Sequence, residues 1–149
     1  MERIGESLKQ FWMQQGGIKL KLGASETELL TFENKYDVRL PEDFKDYLSK
    51  VNGFDDSDVD EEFIIFLPID EIEPLSINWS QSPEAKSYFI FADWSISCHV
   101  YAIKLTKDTK FDNPIIIGFN DNKSPTQIAD SFSEFAQSYI KNDYKVLFP

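Results

Sequence analysis

The chain has one cysteine, one histidine and six glycines among its 149 residues. A lone Cys98 cannot form an intramolecular disulfide, so no oxidising compartment is implied. The few His and Cys residues supply no zinc cluster. The glycines form neither GxxxxGK nor GxGxxG, so no phosphate-cradling loop is present. No apolar run approaches the ~18 residues of a membrane-spanning helix. Met1-Glu2-Arg3-Ile4-Gly5-Glu6 has mixed charge and no apolar segment follows it, unlike a secretory signal. Basic residues are also scarce, with 15 Lys and Arg against 26 Asp and Glu. That balance, without a basic aromatic stripe, disfavours nucleic acid and anionic lipid as partners. These features together predict a cytoplasmic protein that holds no cofactor or metal and engages neither membrane nor nucleic acid.

What the chain does have is aromatic mass and localised charge. Aromatic residues make up 15% of it, including 13 Phe, which is too much large apolar surface for a disordered chain. Its length suits one domain, 1–149, with one good core. Glu42 to Glu73 holds twelve carboxylates and two cations, and so carries −10 of the formal charge of −11. A field this local attracts a basic partner.

Ile4, Leu8, Phe11 and Trp12 recur at helical spacing until Gly16-Gly17. Ser25-Glu26-Thr27-Glu28 is a capping box opening a second helix that ends near Tyr36. Pro41 suits the first position of a third helix, with Phe44, Tyr47, Leu48 and Val51 inward and Gly53 closing it at positive φ. Beyond an acidic loop, strands are predicted at 63–67, 88–92, 97–105 and 115–117, with a short one ending near Ile128-Ala129. One helical turn is expected within 68–73. Ser131-Phe132-Ser133-Glu134 is a second capping box, opening a helix with Phe132, Phe135, Ala136 and Tyr139 inward. Helices, then strands, then a helix predict an α+β fold. Short links predict a central, mostly antiparallel sheet, with the N-terminal helices and the C-terminal helix packed against it.

Candidate chemistry is sparse. Cys98 and His99 are neighbours in a predicted strand, so they point to opposite faces and cannot act as a dyad. Asp56-Ser57-Asp58-Val59-Asp60 resembles the start of a calcium loop. It then places Glu61 where Gly is needed and Leu67 where a bidentate Glu is needed. Asp93 and Asp130 are a conceivable hydrolytic pair, but nothing sets their spacing. No catalytic residue is assigned. The partner-binding candidates are the loop acids Asp55, Asp56, Asp58, Asp60, Glu61 and Glu62, which would steer a basic partner. Trp79, in a polar connector, and Trp94, at a hairpin tip, would anchor it. Either tryptophan can instead cover its own core.

Two blocks resemble a known family. Leu40-Pro41-Glu42-Asp43-Phe44-Lys45-Asp46-Tyr47-Leu48-Ser49-Lys50-Val51-Asn52-Gly53 is similar to the LP-x-D-F-x-x-(Y/F)-L-x-x-x-N-G signature of the SUKH superfamily, in its Smi/Knr-type branch. Phe91-Ala92-Asp93, Tyr101-Ala102-Ile103, Ile116-Ile117-Gly118 and Ile128-Ala129-Asp130-Ser131-Phe132-Ser133-Glu134-Phe135 resemble the tail of bacterial members. The likeness spans about residues 25–141. It implies an α+β fold and a non-enzymatic, protein-binding role. Bacterial members commonly act as immunity proteins against polymorphic or contact-dependent toxins, and fungal relatives act as interaction hubs in cell-wall regulation. The resemblance therefore points to a toxin-neutralising module, with a basic toxin such as a nuclease suggested by the charge. A general scaffold is the alternative.

Overall fold

The computed structural model describes residues 3–55, 60, 64–75, 86–94, 99–108, 112–118 and 125–147. Five helices run over Ile4–Gln15 (α1), Glu26–Tyr36 (α2), Glu42–Lys50 (α3), Phe132–Ile140 (α4) and Tyr144–Leu147 (α5). The strands are Leu20–Leu22 (β1), Val51–Phe54 (β2), Ile64–Phe66 (β3), Glu73–Pro74 (β4), Tyr88–Trp94 (β5), His99–Lys104 (β6), Ile115–Gly118 (β7) and Thr126–Ala129 (β8). A 3-10 turn at Ile69–Glu71 separates β3 from β4. The expected α+β class, with its central antiparallel sheet, is what the structure has.

Capping chemistry sets the helix starts. The Ser25 side chain accepts the Glu28 N–H, and Glu28 accepts the Ser25 N–H in return. At α4 the Ser131 hydroxyl oxygen accepts the Glu134 N–H at 3.1 Å. Pro41 is the residue before α3 rather than its first turn, with ψ at 155° in the extended region.

The C-terminal end of α3 also departs from expectation. The helix stops at Lys50, and β-branched Val51 enters β2 directly. Gly53 does have positive φ, at +73°, but it lies within β2 and closes no helix. A Cβ there would sit 2.5 Å from the Leu67 carbonyl carbon. Beside it, the Asn52 side-chain oxygen accepts the Ile69 N–H at 2.7 Å. Asn52 and Gly53 thus clamp the chain leading into the 3-10 turn.

Strands β3, β5, β6, β7 and β8 pair in that order, every pair antiparallel, and β4 joins the β5 edge beyond β3. β1 and β2 form a separate antiparallel ribbon. All five helices contribute to one face of the six-stranded sheet, where Phe44, Phe66, Phe91, Phe132 and Phe135 are fully buried. Edge-to-face contacts such as Phe44–Phe132, with centroids 5.0 Å apart, organise this aromatic core. On the opposite face Leu75, Val100, Ala102 and Ile116 form a second cluster that contains no helical residue.

Candidate functional site

Helix α3 is the hub of the helical layer, and two of its acids cap its neighbours. Helix N-termini leave N–H groups without intrahelical partners, and a carboxylate stabilises them by hydrogen bonding and by opposing the helix dipole. Asp46 accepts the Gly5 N–H of α1 at 2.9 Å. Asp43 accepts the Ser133 N–H of α4 at 2.8 Å and the Ser133 hydroxyl at 3.0 Å, while its other oxygen accepts the Phe44 N–H at 2.8 Å. A Cβ at Gly5 would meet the Asp46 carbonyl oxygen at 2.5 Å, so α1 and α3 approach closely.

Above this junction lies an open groove of about 870 Å3 between α2, α3 and the starts of α1 and α4. Five carboxylates line it, from Glu26, Glu33, Glu42, Asp43 and Asp46, with two cations, Arg3 and Lys45. Glu33 is buried and accepts the Leu40 N–H at 2.8 Å. Glu26 and Glu42 are exposed. Among the described residues no ion pair joins any of the five to a cation. Lys107–Asp37, at 3.6 Å and fully on the surface, is the ion pair described. Leu29 and Leu30 supply apolar lining, and Leu30 is 55% exposed. An open, acid-lined groove with an apolar step suits a polypeptide surface carrying Lys or Arg.

The residues singled out from sequence lie elsewhere. Asp56, Asp58, Glu61, Glu62 and Trp79 fall outside the described residues. Asp55 is half-buried, and its N–H donates to the Lys19 carbonyl at 2.7 Å. Asp60 corrects the expectation of a displayed steering acid: it is 5% exposed. One Asp60 oxygen accepts the Ile64 N–H at 2.9 Å and the other accepts the Tyr139 hydroxyl. The aromatic surroundings of Tyr139 and the N–H at Ile64 hold that carboxylate inside. Trp94 ends β5 opposite His99 and is half-buried against the helical core, with the two rings 5.3 Å apart. The groove acids form no single run in the sequence, because they come from two separate helices and only Glu42, Asp43 and Asp46 lie in the acidic segment.

The described residues contain no group of three His, Cys, Asp or Glu able to hold a metal. No described helix is long and apolar enough to cross a membrane. The profile of the SMI1 / KNR4 family (SUKH-1) matches residues 23–138. The chain belongs to this family. No individual curated protein matches it. SUKH-1 members are generally non-catalytic immunity proteins, so family membership supports an immunity-like, protein-binding module. The match takes in α2, α3, the sheet and most of α4, so the SUKH-1 region contains nearly all of the groove. Its signature residues act structurally here: Asp43 caps α4, Asn52 and Gly53 clamp the 3-10 turn, and Phe44 fills the core.

Proposed function

We propose that this SUKH-1 protein is a non-catalytic immunity protein of the cytoplasm that neutralises a toxin domain by covering a basic surface on it. The observation that carries this reading is the acid-lined groove, whose carboxylates have no ion-pair partner among the described residues. The −10 charge of the 42–73 segment adds long-range attraction, in which Asp55, Asp56, Asp58, Glu61 and Glu62 take part. Asp60 is withdrawn from that set, because its carboxylate is consumed inside the core. Charge speeds encounter, and affinity comes from desolvated apolar contact. Leu30 in the groove offers such contact, and Trp79 is a further anchor. A nuclease is one toxin class with the required basic surface, since it must bind a polyanion.

The test is coexpression with a C-terminal toxin domain encoded beside its gene. The expected result is restored growth and a stoichiometric complex of the two proteins. Toxicity that persists despite soluble immunity protein, with no complex formed, would contradict the proposal. Several partners of moderate affinity without protection would favour a scaffold instead.

A further inference from the structure

Helix α2 has a second flank. On it, Thr27, Thr31, Phe32 and Tyr36 face Ile69 and Ile72 across a pocket of about 250 Å3. Phe32, Ile69 and Ile72 are nearly inaccessible and make its floor, while Thr27 and Thr31 are exposed and make its wall. The floor is held firmly. Tyr36 meets Phe32 at 4.9 Å and Phe89 at 5.0 Å between centroids, and the Lys35 ammonium lies 5.1 Å from the Tyr36 ring. The Thr31 hydroxyl donates to the Thr27 carbonyl at 2.7 Å, so that wall presents its methyl-bearing side chain without a free hydroxyl proton. Glu28 and Asp70 give the rim an acidic excess over Lys35.

Cofactors and drug-sized ligands occupy roughly 300–1,000 Å3 and need several convergent polar groups. This pocket is smaller, and its floor is apolar. Its size suits one large side chain, the kind of anchor that dominates protein interfaces. We infer that it receives a single apolar side chain of the protein partner, aromatic for preference, set among lysines or arginines that meet Glu28 and Asp70. The inference rests on the proposed immunity function and adds the partner's local chemistry. Exposed Leu30 lies on the same helix, which makes α2 a ridge with an acidic groove on one flank and an anchor pocket on the other.

The experiment titrates the full isotope-labelled chain with three capped peptides, Lys-Lys-Trp-Lys-Lys, Lys-Lys-Ala-Lys-Lys and Glu-Glu-Trp-Glu-Glu, and follows backbone amide shifts. The tryptophan–lysine peptide is expected to shift amides within 27–36 and 69–72 and to bind at least about tenfold more tightly than either control. Thr31→Arg, an exposed change that places a cation over the opening, is expected to abolish those shifts while leaving the melting temperature unchanged. Equal binding of the alanine peptide, shifts centred elsewhere, or unaltered binding by Thr31→Arg would each overturn the inference. Full protection by Thr31→Arg in the coexpression assay would remove the pocket from the interface while leaving the immunity function standing. Failure of the unsubstituted protein to protect would remove that function, with the peptide map still deciding the pocket.

Discussion

The Tyr139 hydroxyl donates a hydrogen bond to the Asp60 carboxylate inside the core, across 79 residues of sequence. The same hydroxyl oxygen accepts the Trp12 indole N–H at 2.8 Å, and the other Asp60 oxygen accepts the Ile64 N–H at 2.9 Å. This chain of bonds ties α1 and α4 to the acidic segment just before β3. A buried carboxylate is tolerated only when its lone pairs are satisfied, as they are here.

Tyr139→Phe deletes the donor to Asp60 and the acceptor for Trp12 together. Hydrogen bonds to a charged group contribute about 1.5–3 kcal/mol, and the stranded carboxylate adds desolvation cost. Urea unfolding should show a loss of about that size, with the slope of the transition unchanged. A loss below about 0.5 kcal/mol would mean that the bond contributes little.

Asp43→Ala removes the acceptor for both donors of Ser133 and for the Phe44 N–H. Losing a cap of this kind costs about 1–2 kcal/mol. The start of α4 should fray, visible as faster amide exchange at Ser133 and its neighbours. Asp43→Asn keeps an acceptor oxygen and should restore part of the loss.

Burial holds the hydroxyls of Tyr47, Tyr101 and Tyr139 above the usual tyrosine value of 10.0, and the negative charge of Asp60 pushes the last two further in the same direction. A group whose folded pKa is raised stabilises the fold fully below its unfolded pKa and loses that contribution as pH rises toward the folded value. Stability should therefore fall from about pH 10 upward. Near-ultraviolet titration should show these three tyrosines ionising together with alkaline unfolding. Smooth ionisation of every tyrosine in the intact fold near pH 10 would contradict their burial.

Gly53→Ala forces a Cβ to 2.5 Å from the Leu67 carbonyl carbon at a φ of +73°. The expected destabilisation is about 2–4 kcal/mol. Gly16→Ala has the same φ and open space around its Cβ, so its cost is backbone strain alone, about 1–3 kcal/mol at a ψ of 163°. Thermal melts of the two variants separate backbone strain from steric exclusion.

Local signals in the chain were enough to find α2 and α4, because Ser25–Glu28 and Ser131–Glu134 bring their own hydrogen-bond partners. They also located β5, β6 and β7, whose apolar runs are the centre of the sheet. Four-residue α5 left no periodic trace. Its place depends on a distant contact, the Tyr101 hydroxyl donating to the Leu147 carbonyl at 2.9 Å. Helical spacing carried α3 one residue too far because Val51 fits both its apolar stripe and the strand that follows. Asp60 looked like its acidic neighbours, since nothing near it in sequence announces Tyr139. The groove was illegible for the same reason: its acids lie at 26–33 and 42–46, and only the folded chain brings α2 and α3 to line one groove.

Association kinetics with the toxin domain test the central claim most directly. Glu26 and Glu42 are exposed groove acids with no capping role, so Glu26→Lys with Glu42→Lys reverses local charge while sparing Asp43 and Asp46. The unsubstituted protein should associate about tenfold more slowly at high than at low ionic strength, and the double variant should be slow at both. Equal, salt-independent association rates for the two proteins would contradict a partner drawn to this groove by charge.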